Sequence, residues 1–140
     1  MFTFSADEKI QQVAEAYSLD AVDVAKSNFK LILDWSDSSV AKIESILDML
    51  HAERTKARPS DDQVWAFAKM LGSYVGEVYR KNHGATWGMI TSGGDEFPGL
   101  QAANKESTLF WPWGRVHNRL TDGPSDNVWH YYQNLIKKSG

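Results

Sequence analysis

The sequence predicts an α+β domain in which N-terminal helices pack on a small, mainly antiparallel sheet of three or four strands and a C-terminal helix closes the fold. Apolar residues recur at helical spacing through much of residues 1–83. Short apolar runs separated by turn residues follow in residues 86–113, and a helical pattern ends the chain. The 140 residues are 42% hydrophobic, so they can form a single domain, 1–140, with a substantial core.

The first helix is predicted at residues 6–17. Ser5 and Glu8 have the spacing of a capping box, and apolar residues follow at helical intervals. Residues 19–25 can continue this helix. The short apolar run at 29–33 alternates in part, which predicts a strand.

Two further helices have clear signals at both ends. The segment 34–39 is dense in capping and turn residues, and the apolar stripe after it ends near a loop at 54–59. Ser60 then caps a helix of about twenty residues, with Gln63 as its reciprocal partner. Gly84 is expected to end this third helix in a left-handed conformation.

Two glycines inside the third helix predict a close neighbour. Gly72 and Gly76 are four residues apart, so they share one helix face. Each costs about 1 kcal/mol relative to alanine within a helix. We therefore expect a strand or another helix to cross closely at this face, with Trp87 filling the space that the glycines leave.

Three short strands are predicted at residues 86–90, 99–102 and 107–113, and they form an antiparallel meander. Pro112 cannot donate a ladder hydrogen bond, so it is expected at the end of the third strand or on an edge. A short helical turn is predicted at 114–120.

The chain is predicted to end with a helix. Ser125 or Asp126 is expected to cap it. Its apolar residues recur at helical spacing and are Val128, Trp129, Tyr132, Leu135 and Ile136.

Charge and composition argue against several classes of function. Eighteen acidic and fifteen basic residues leave a net charge of −3, which disfavours nucleic acid or an anionic membrane as a partner. Residues 1–62 hold twelve acids and seven bases (−5), while residues 63–140 hold six and eight (+2), so the first part suits a basic partner. The absence of cysteine excludes disulfides and thiol nucleophiles. Without a signal-peptide pattern or an apolar span, a cytoplasmic protein is expected.

The sequence contains no established pattern of catalytic residues. The histidines, His51, His83, His117 and His130, lack metal-ligand spacing, and the last two are the one pair expected to approach each other. The segment Ser92-Gly93-Gly94-Asp95 lacks the lysine and the following helix of a phosphate-binding loop. The G-x-S-x-G pattern of a nucleophile elbow is also absent. We predict a non-enzymatic protein without a metal or cofactor.

Glu77 is a candidate functional group because its neighbours in the third helix are apolar. A buried carboxylate there needs a cation, which Arg80, Arg115 or Arg119 could supply. Three roles stay open for it: a structural ion pair, a solvated surface group, and a ligand-binding or catalytic group.

The segment Phe110-Trp111-Pro112-Trp113 is the densest aromatic feature. In a strand, Trp111 and Trp113 would point to one face, where they either close the core or form an exposed binding platform. Both uses stay open. Three of the six tryptophans have no place in the predicted core or packing positions: Trp35, Trp111 and Trp113.

Several short motifs follow one another in an order that resembles a group of small bacterial domains of unknown function. The similar layout spans residues 30–136. The resemblance implies a bacterial, cytoplasmic α+β protein. It allows an immunity or accessory role, because some members are encoded near toxin systems, and it brings no catalytic residues. The motifs are Leu33-Asp34-Trp35-Ser36, Leu71-Gly72-Ser73-Tyr74-Val75-Gly76-Glu77-Val78, Trp87, Phe110-Trp111-Pro112, Val116, Arg119, Asp122-Gly123 and Tyr131-Tyr132.

These observations lead to three hypotheses about function. The first is a protein-binding module of the immunity or accessory type with a basic partner. The second is a small-molecule binder or enzyme whose pocket lies between the Glu77 helix and the sheet. The third is an architectural module that dimerises through its aromatic strand. The residues predicted for a binding site are Glu77, Trp87, Trp111, Trp113, Arg115, His117 and Arg119.

Overall fold

The computed structural model confirms the α+β fold, with a four-stranded antiparallel sheet in the order β1-β2-β3-β4 and a closing C-terminal helix. It describes residues 1–139, including their side chains except those of residues 55 and 139. A 3-10 turn at Pro124–Asp126 precedes the last helix. The elements are β1 (Phe2–Ala6), α1 (Glu8–Phe29), α2 (Ser39–Ala57), α3 (Asp61–His83), β2 (Ala85–Ser92), β3 (Asp95–Ala102), β4 (Leu109–Phe110), α4 (Pro112–Asp122) and α5 (Val128–Ser139).

Helix α3 is the central element of the core. Residues 71–79 are buried without interruption, and the helix packs against α1, α4 and the sheet. Its N-terminus has the predicted capping box, in which the Ser60 side chain accepts from the Gln63 N–H and the Gln63 side chain accepts from the Ser60 N–H. Gly84 ends the helix with φ 85°, and its ψ of 126° leads directly into β2 rather than into the left-handed conformation that we expected.

The N-terminal region differs from the prediction. Ser5 lies in β1, opposite Met89, and the cap of α1 is Asp7, whose side chain accepts from two backbone N–H groups. The predicted start failed because two capping-type residues lie close together and a short strand precedes them. Helix α1 also continues without a break through residues 19–25, as one alternative allowed.

The strand predicted at 29–33 is wrong. Phe29 ends α1, and Lys30 turns the chain with a left-handed φ of 58°. Leu33 is buried in the core, with 3% exposure, although the segment pairs with no strand in the described structure. Leu33 therefore packs in the core without strand pairing, while Ile32 beside it is 58% exposed.

The aromatic segment was also assigned to the wrong element. β4 has two residues and pairs with Leu100 and Gln101, and the chain then enters α4 with Trp111 at the N-cap and Pro112 at the first position. Proline suits this position because it has a helical φ and no N–H that would need a partner. The third strand predicted at 107–113 is therefore too long, and the turn predicted at 114–120 is part of a helix of 11 residues.

Two smaller corrections concern the sheet and the last helix. β1 adds a fourth strand to the predicted three-stranded meander, within the range of three to four strands. Asn127 caps α5 by accepting from the His130 N–H at 2.9 Å, whereas Ser125 and Asp126 lie in the 3-10 turn. Asparagine is as effective a cap as serine or aspartate, so local preference alone could not choose between these neighbours.

The close approaches at the α3 glycines are confirmed. A Cβ at Gly72 would lie 2.9 Å from the Pro112 carbonyl oxygen, so the start of α4 crosses there. A Cβ at Gly76 would lie 2.4 Å from the six-membered ring of Trp87. The expected neighbours are thus a helix at one glycine and a strand side chain at the other.

Candidate binding cleft

A cleft of about 630 Å³ opens beside the N-terminal half of α3. Strand β3 forms one wall and the start of α4 forms another. The cleft lies between α3 and the sheet, but on a different part of α3 from Glu77, which the pocket hypothesis placed in the pocket. Its lining residues are Asp62, Trp65, Lys69, Phe97, Pro98, Trp111, Trp113 and Gly114.

The cleft exists because β3 is longer than its neighbour β4. Beyond Leu100 and Gln101, residues 95–99 have no strand beside them on that edge within the described structure. The Ala102 N–H donates to the Thr108 carbonyl at 2.8 Å, and backbone direction alternates along a strand, so Pro98 faces the same open edge. Proline has no N–H to leave unpaired at this position.

Each aromatic side chain of the cleft contacts another ring or forms a hydrogen bond within the protein. Trp111 meets Phe97 edge-to-face at 5.2 Å and Phe2 at 5.4 Å between ring centroids. The Trp113 indole N–H donates to the Ser73 hydroxyl at 2.8 Å. Trp65 stacks on His117 at 3.9 Å. The rings are therefore positioned before any ligand arrives.

The polar groups of the cleft are largely unused by the protein. Among the described residues, the exposed Asp62 carboxylate has no ion-pair or hydrogen-bond partner, and the indole N–H groups of Trp65 and Trp111 have no acceptor. The Lys69 ammonium lies 5.8 Å from the Trp113 ring centroid, as in a cation–π contact. Among the side chains of the cleft, a ligand would thus find one acceptor group and at least three donors.

Of the residues predicted for a site, Trp111 and Trp113 line the cleft, and Trp87 and His117 lie behind it. Glu77 does not reach the cleft. It is 1% exposed and lies beneath Trp87, whose indole N–H donates to it at 2.9 Å. Its cation is Arg80, which donates to both carboxylate oxygens at 2.6 and 2.9 Å. This hydrogen bonding raises the pKa of Arg80 despite partial burial, so the pair acts as a structural ion pair.

Replacing Glu77 with glutamine is expected to lower the free energy of unfolding by about 1–2 kcal/mol. The amide keeps one acceptor oxygen, but its NH₂ group would face a donor of Arg80 at either oxygen position. Urea denaturation measures the change. Glu15→Gln is the matched control, because Glu15 contacts the same arginine at 3.5 Å with its side chain 44% exposed, and a change within about 0.5 kcal/mol is expected. Equal losses in the two variants would contradict this role.

The remaining predicted residues lie elsewhere, so the expected convergence on one pocket does not occur. Arg119 is 1% exposed and binds Glu44 and Asp48 of α2. Arg115 pairs with Asp126 at 3.4 Å and covers the Tyr131 ring at 4.6 Å.

The two histidines expected to approach each other have different surroundings. His117 stacks on Trp65 and lies 3.5 Å from Asp61, whereas His130 is exposed on α5. Within residues 1–139, no group of three histidine, aspartate or glutamate side chains could hold a metal ion.

Several motif residues of the family resemblance join the loop after α1 to α3. Trp35, with a left-handed φ of 67°, donates its backbone N–H to the Tyr74 hydroxyl at 2.9 Å, and its ring packs on Tyr74 at 4.8 Å. Asn82 donates to the Trp35 carbonyl at 2.9 Å. Trp35, one of the three unplaced tryptophans, therefore has a structural role here.

A second set of contacts centres on the Asp37 carboxylate. It accepts from the Tyr132 hydroxyl and lies 3.0 Å from the His83 ring nitrogen. Burial and the neighbouring Asp37 carboxylate raise the pKa of the Tyr132 hydroxyl, which therefore stays a proton donor at neutral and mildly alkaline pH. These contacts fix the loop between α1 and α2 against α3 and α5.

Sequence reasoning missed six of the eight lining residues of the cleft. Asp62, Trp65 and Lys69 lie at positions i, i+3 and i+7, which share one face of α3. A tryptophan flanked by two opposite charges on one helix face is a signal that the sequence did contain. Phe97 and Pro98 gave no such signal, because they join the cleft through the pairing of β3 with β2.

No protein-family model matches the chain, and no curated protein matches it either. A crystal structure from Bacteroides thetaiotaomicron VPI-5482, at 1.50 Å resolution, has a similar fold with a TM-score of 0.68 and 16% sequence identity. The similarity covers 96% of this chain and 47% of that one, so the chain spans about half the length of its structural neighbour. At this identity the likeness shows a shared fold. Within the described residues, no helix combines the length and apolar character needed to cross a membrane.

Proposed function

We propose that the chain is a non-catalytic binding protein and that the aromatic cleft is its ligand site. The observation that carries this proposal is the set of preformed but unused groups: fixed tryptophan rings beside the free Asp62 carboxylate and free indole N–H donors. A volume of about 630 Å³ lies within the range of about 300–1,000 Å³ typical of small-molecule sites. The buried charged groups Glu77 and Arg119 are engaged in ion pairs, which supports a binding role over a catalytic one.

Small ligands are expected to change the indole N–H resonances of the cleft tryptophans in nuclear magnetic resonance spectra. The probes are cellobiose, choline and benzoate, which represent neutral polar, cationic and anionic ligands. At least one probe should move the Trp65 and Trp111 signals saturably, while Trp35 and Trp129 stay in place because neither lines the cleft. The proposal fails if no probe moves the cleft signals, or if all six tryptophan signals move together.

A protein partner of basic charge, in an immunity or accessory role, is a second candidate. The large hydrophobic side chains that are strongly exposed all belong to the acidic residues 1–62, namely Met1, Phe2, Val13, Leu19, Ile32 and Met49. Exposed apolar side chains within an acidic part of the chain suit a partner that carries positive charge and buries apolar surface.

The second candidate can be tested separately from the cleft. A partner that co-purifies from the native host should dissociate from the variant Leu19→Lys/Asp20→Lys and at high salt, and it should stay bound to Trp111→Ala. This surface would be excluded if the partner stayed bound to all variants equally. It would also be excluded if the partner were lost from Trp111→Ala alone.

A further inference from the structure

The lining of the cleft contains groups of three kinds: aromatic faces, unpartnered hydrogen-bond donors and one unpartnered carboxylate. We infer that the cleft binds a neutral saccharide, with a sugar ring stacked on a tryptophan and its hydroxyl groups bonded to the polar lining. This inference rests on the proposed function, because it names the ligand class of the same site.

The spacing of the rings favours a ligand with the width of a sugar ring over a small cation. Among the described residues, Trp65, Trp111 and Trp113 form no ring contact with one another, although each contacts another aromatic ring. A cage for a methylammonium group needs several rings within about 6 Å of one charge. Here the rings are spread around a volume of about 630 Å³, which leaves room for a flat ligand between them.

The charges of the cleft favour a neutral ligand. Asp62 and Lys69 contribute one negative and one positive charge, so the lining has no net charge. The Lys69 ammonium already covers the Trp113 ring, at 5.8 Å, and would repel a second cation there. The free carboxylate of Asp62 would in turn repel an anion. A charged ligand of either sign would therefore meet a like charge as well as an opposite one, so the lining favours neither sign.

The hydrogen-bonding groups match hydroxyl groups in particular. A hydroxyl can donate to the Asp62 carboxylate and can also accept from an indole N–H of Trp65 or Trp111. A sugar ring combines such hydroxyls around its rim with an apolar C–H face, which suits an aromatic ring with an apolar face and a polar edge. A nucleobase would also stack, but nucleic acid would bring phosphates to a chain with a net charge of −3.

Titration calorimetry with three saccharides, cellobiose, maltotriose and chitotriose, tests the inference, with choline as the comparison ligand. We expect at least one saccharide to bind with millimolar or tighter affinity. Trp111→Ala should weaken that binding about tenfold or more, through the loss of stacking. Asp62→Asn should also weaken it, and this exposed position carries no risk to folding. Asp23→Asn and Trp129→Ala are the matched controls, because neither residue lines the cleft and Asp23 is exposed on α1.

The possible outcomes separate this inference from the proposed function. Saccharide binding that weakens in Asp62→Asn and not in Asp23→Asn supports both. If no saccharide binds at about 10 mM while choline binds and requires Trp111, the saccharide inference is overturned and the cleft remains a ligand site. If neither saccharides nor choline bind and no probe moves the Trp65 and Trp111 resonances, both are overturned. Binding that is unchanged in Trp111→Ala and Asp62→Asn also overturns the inference.

Discussion

Arg119→Met is expected to lower the free energy of unfolding by about 3–5 kcal/mol. The Arg119 side chain is 1% exposed and lies between two acidic residues of α2. Its Nε donates to Glu44 at 2.9 Å, and its Nη2 donates to Asp48 at 2.8 Å. Methionine fills a similar volume but leaves the largely buried Glu44 carboxylate without its cation.

The Glu44 carboxylate explains why the loss should be large. It also accepts the Val128 backbone N–H at 2.8 Å, so one carboxylate joins α2, α4 and the start of α5. Burial alone would lower the pKa of Arg119, but the hydrogen bonds to Glu44 and Asp48 outweigh it and raise that pKa. Arg119 therefore stays charged at neutral pH, and its removal leaves the Glu44 carboxylate without its cation.

Arg115→Met is the matched control for this substitution. Arg115 lies one helical turn earlier on α4, and its side chain is 37% exposed with an ion pair of 3.4 Å to Asp126. Such pairs contribute about 0–1 kcal/mol. Chemical denaturation should show that Arg119→Met loses several times more free energy of unfolding than Arg115→Met. The double variant Arg119→Met/Glu44→Gln should recover part of that loss, because it no longer buries an unpaired carboxylate. Similar losses for Arg115 and Arg119 would show that the buried ion pair is not the cause.

An element could be predicted from the sequence where local signals marked both its start and its end. Helix α3 began at the capping box of Ser60 and Gln63 and ended at Gly84, because these residues act within a few positions of one another. β1 was missed because its cap-like Ser5 is followed so closely by the true cap, Asp7. At Trp111 and Pro112 the local pattern suits both a strand end and a helix start, and the packing of α4 on Gly72 decides between them.

The candidate site was predictable only in part. Aromatic density pointed to Trp111 and Trp113, which line the cleft. Arg80 was among the cations expected for Glu77, because it lies three positions further along the same helix. The partners of Arg119 gave no such signal, since Arg119 meets Glu44 across 75 positions of sequence. Such contacts depend on how helices pack, and a single sequence carries no local signal for that packing.

Gly76→Ala is expected to lower the free energy of unfolding by about 2–3 kcal/mol, although alanine is the better helix former. The new Cβ would lie 2.4 Å from the Trp87 ring and 3.1 Å from a methyl group of Leu100. Trp87 cannot move aside easily, because it is 1% exposed and its indole N–H is bonded to Glu77. The new methyl group would therefore clash with a buried ring that is held by its backbone attachment and by its hydrogen bond to Glu77.

The sign of the effect distinguishes a steric cause from helix propensity. At the exposed position Ala66 of the same helix, Ala→Gly should destabilise by about 1 kcal/mol, so alanine is favoured where space allows. In a Trp87→Leu background, which removes the clashing ring atoms, Gly76→Ala should cost much less or should stabilise. Denaturation of the four proteins of this double-mutant cycle measures the coupling between the two positions. If Gly76→Ala lowers the free energy of unfolding equally without the Trp87 ring, the close approach to Trp87 is not the reason for the glycine.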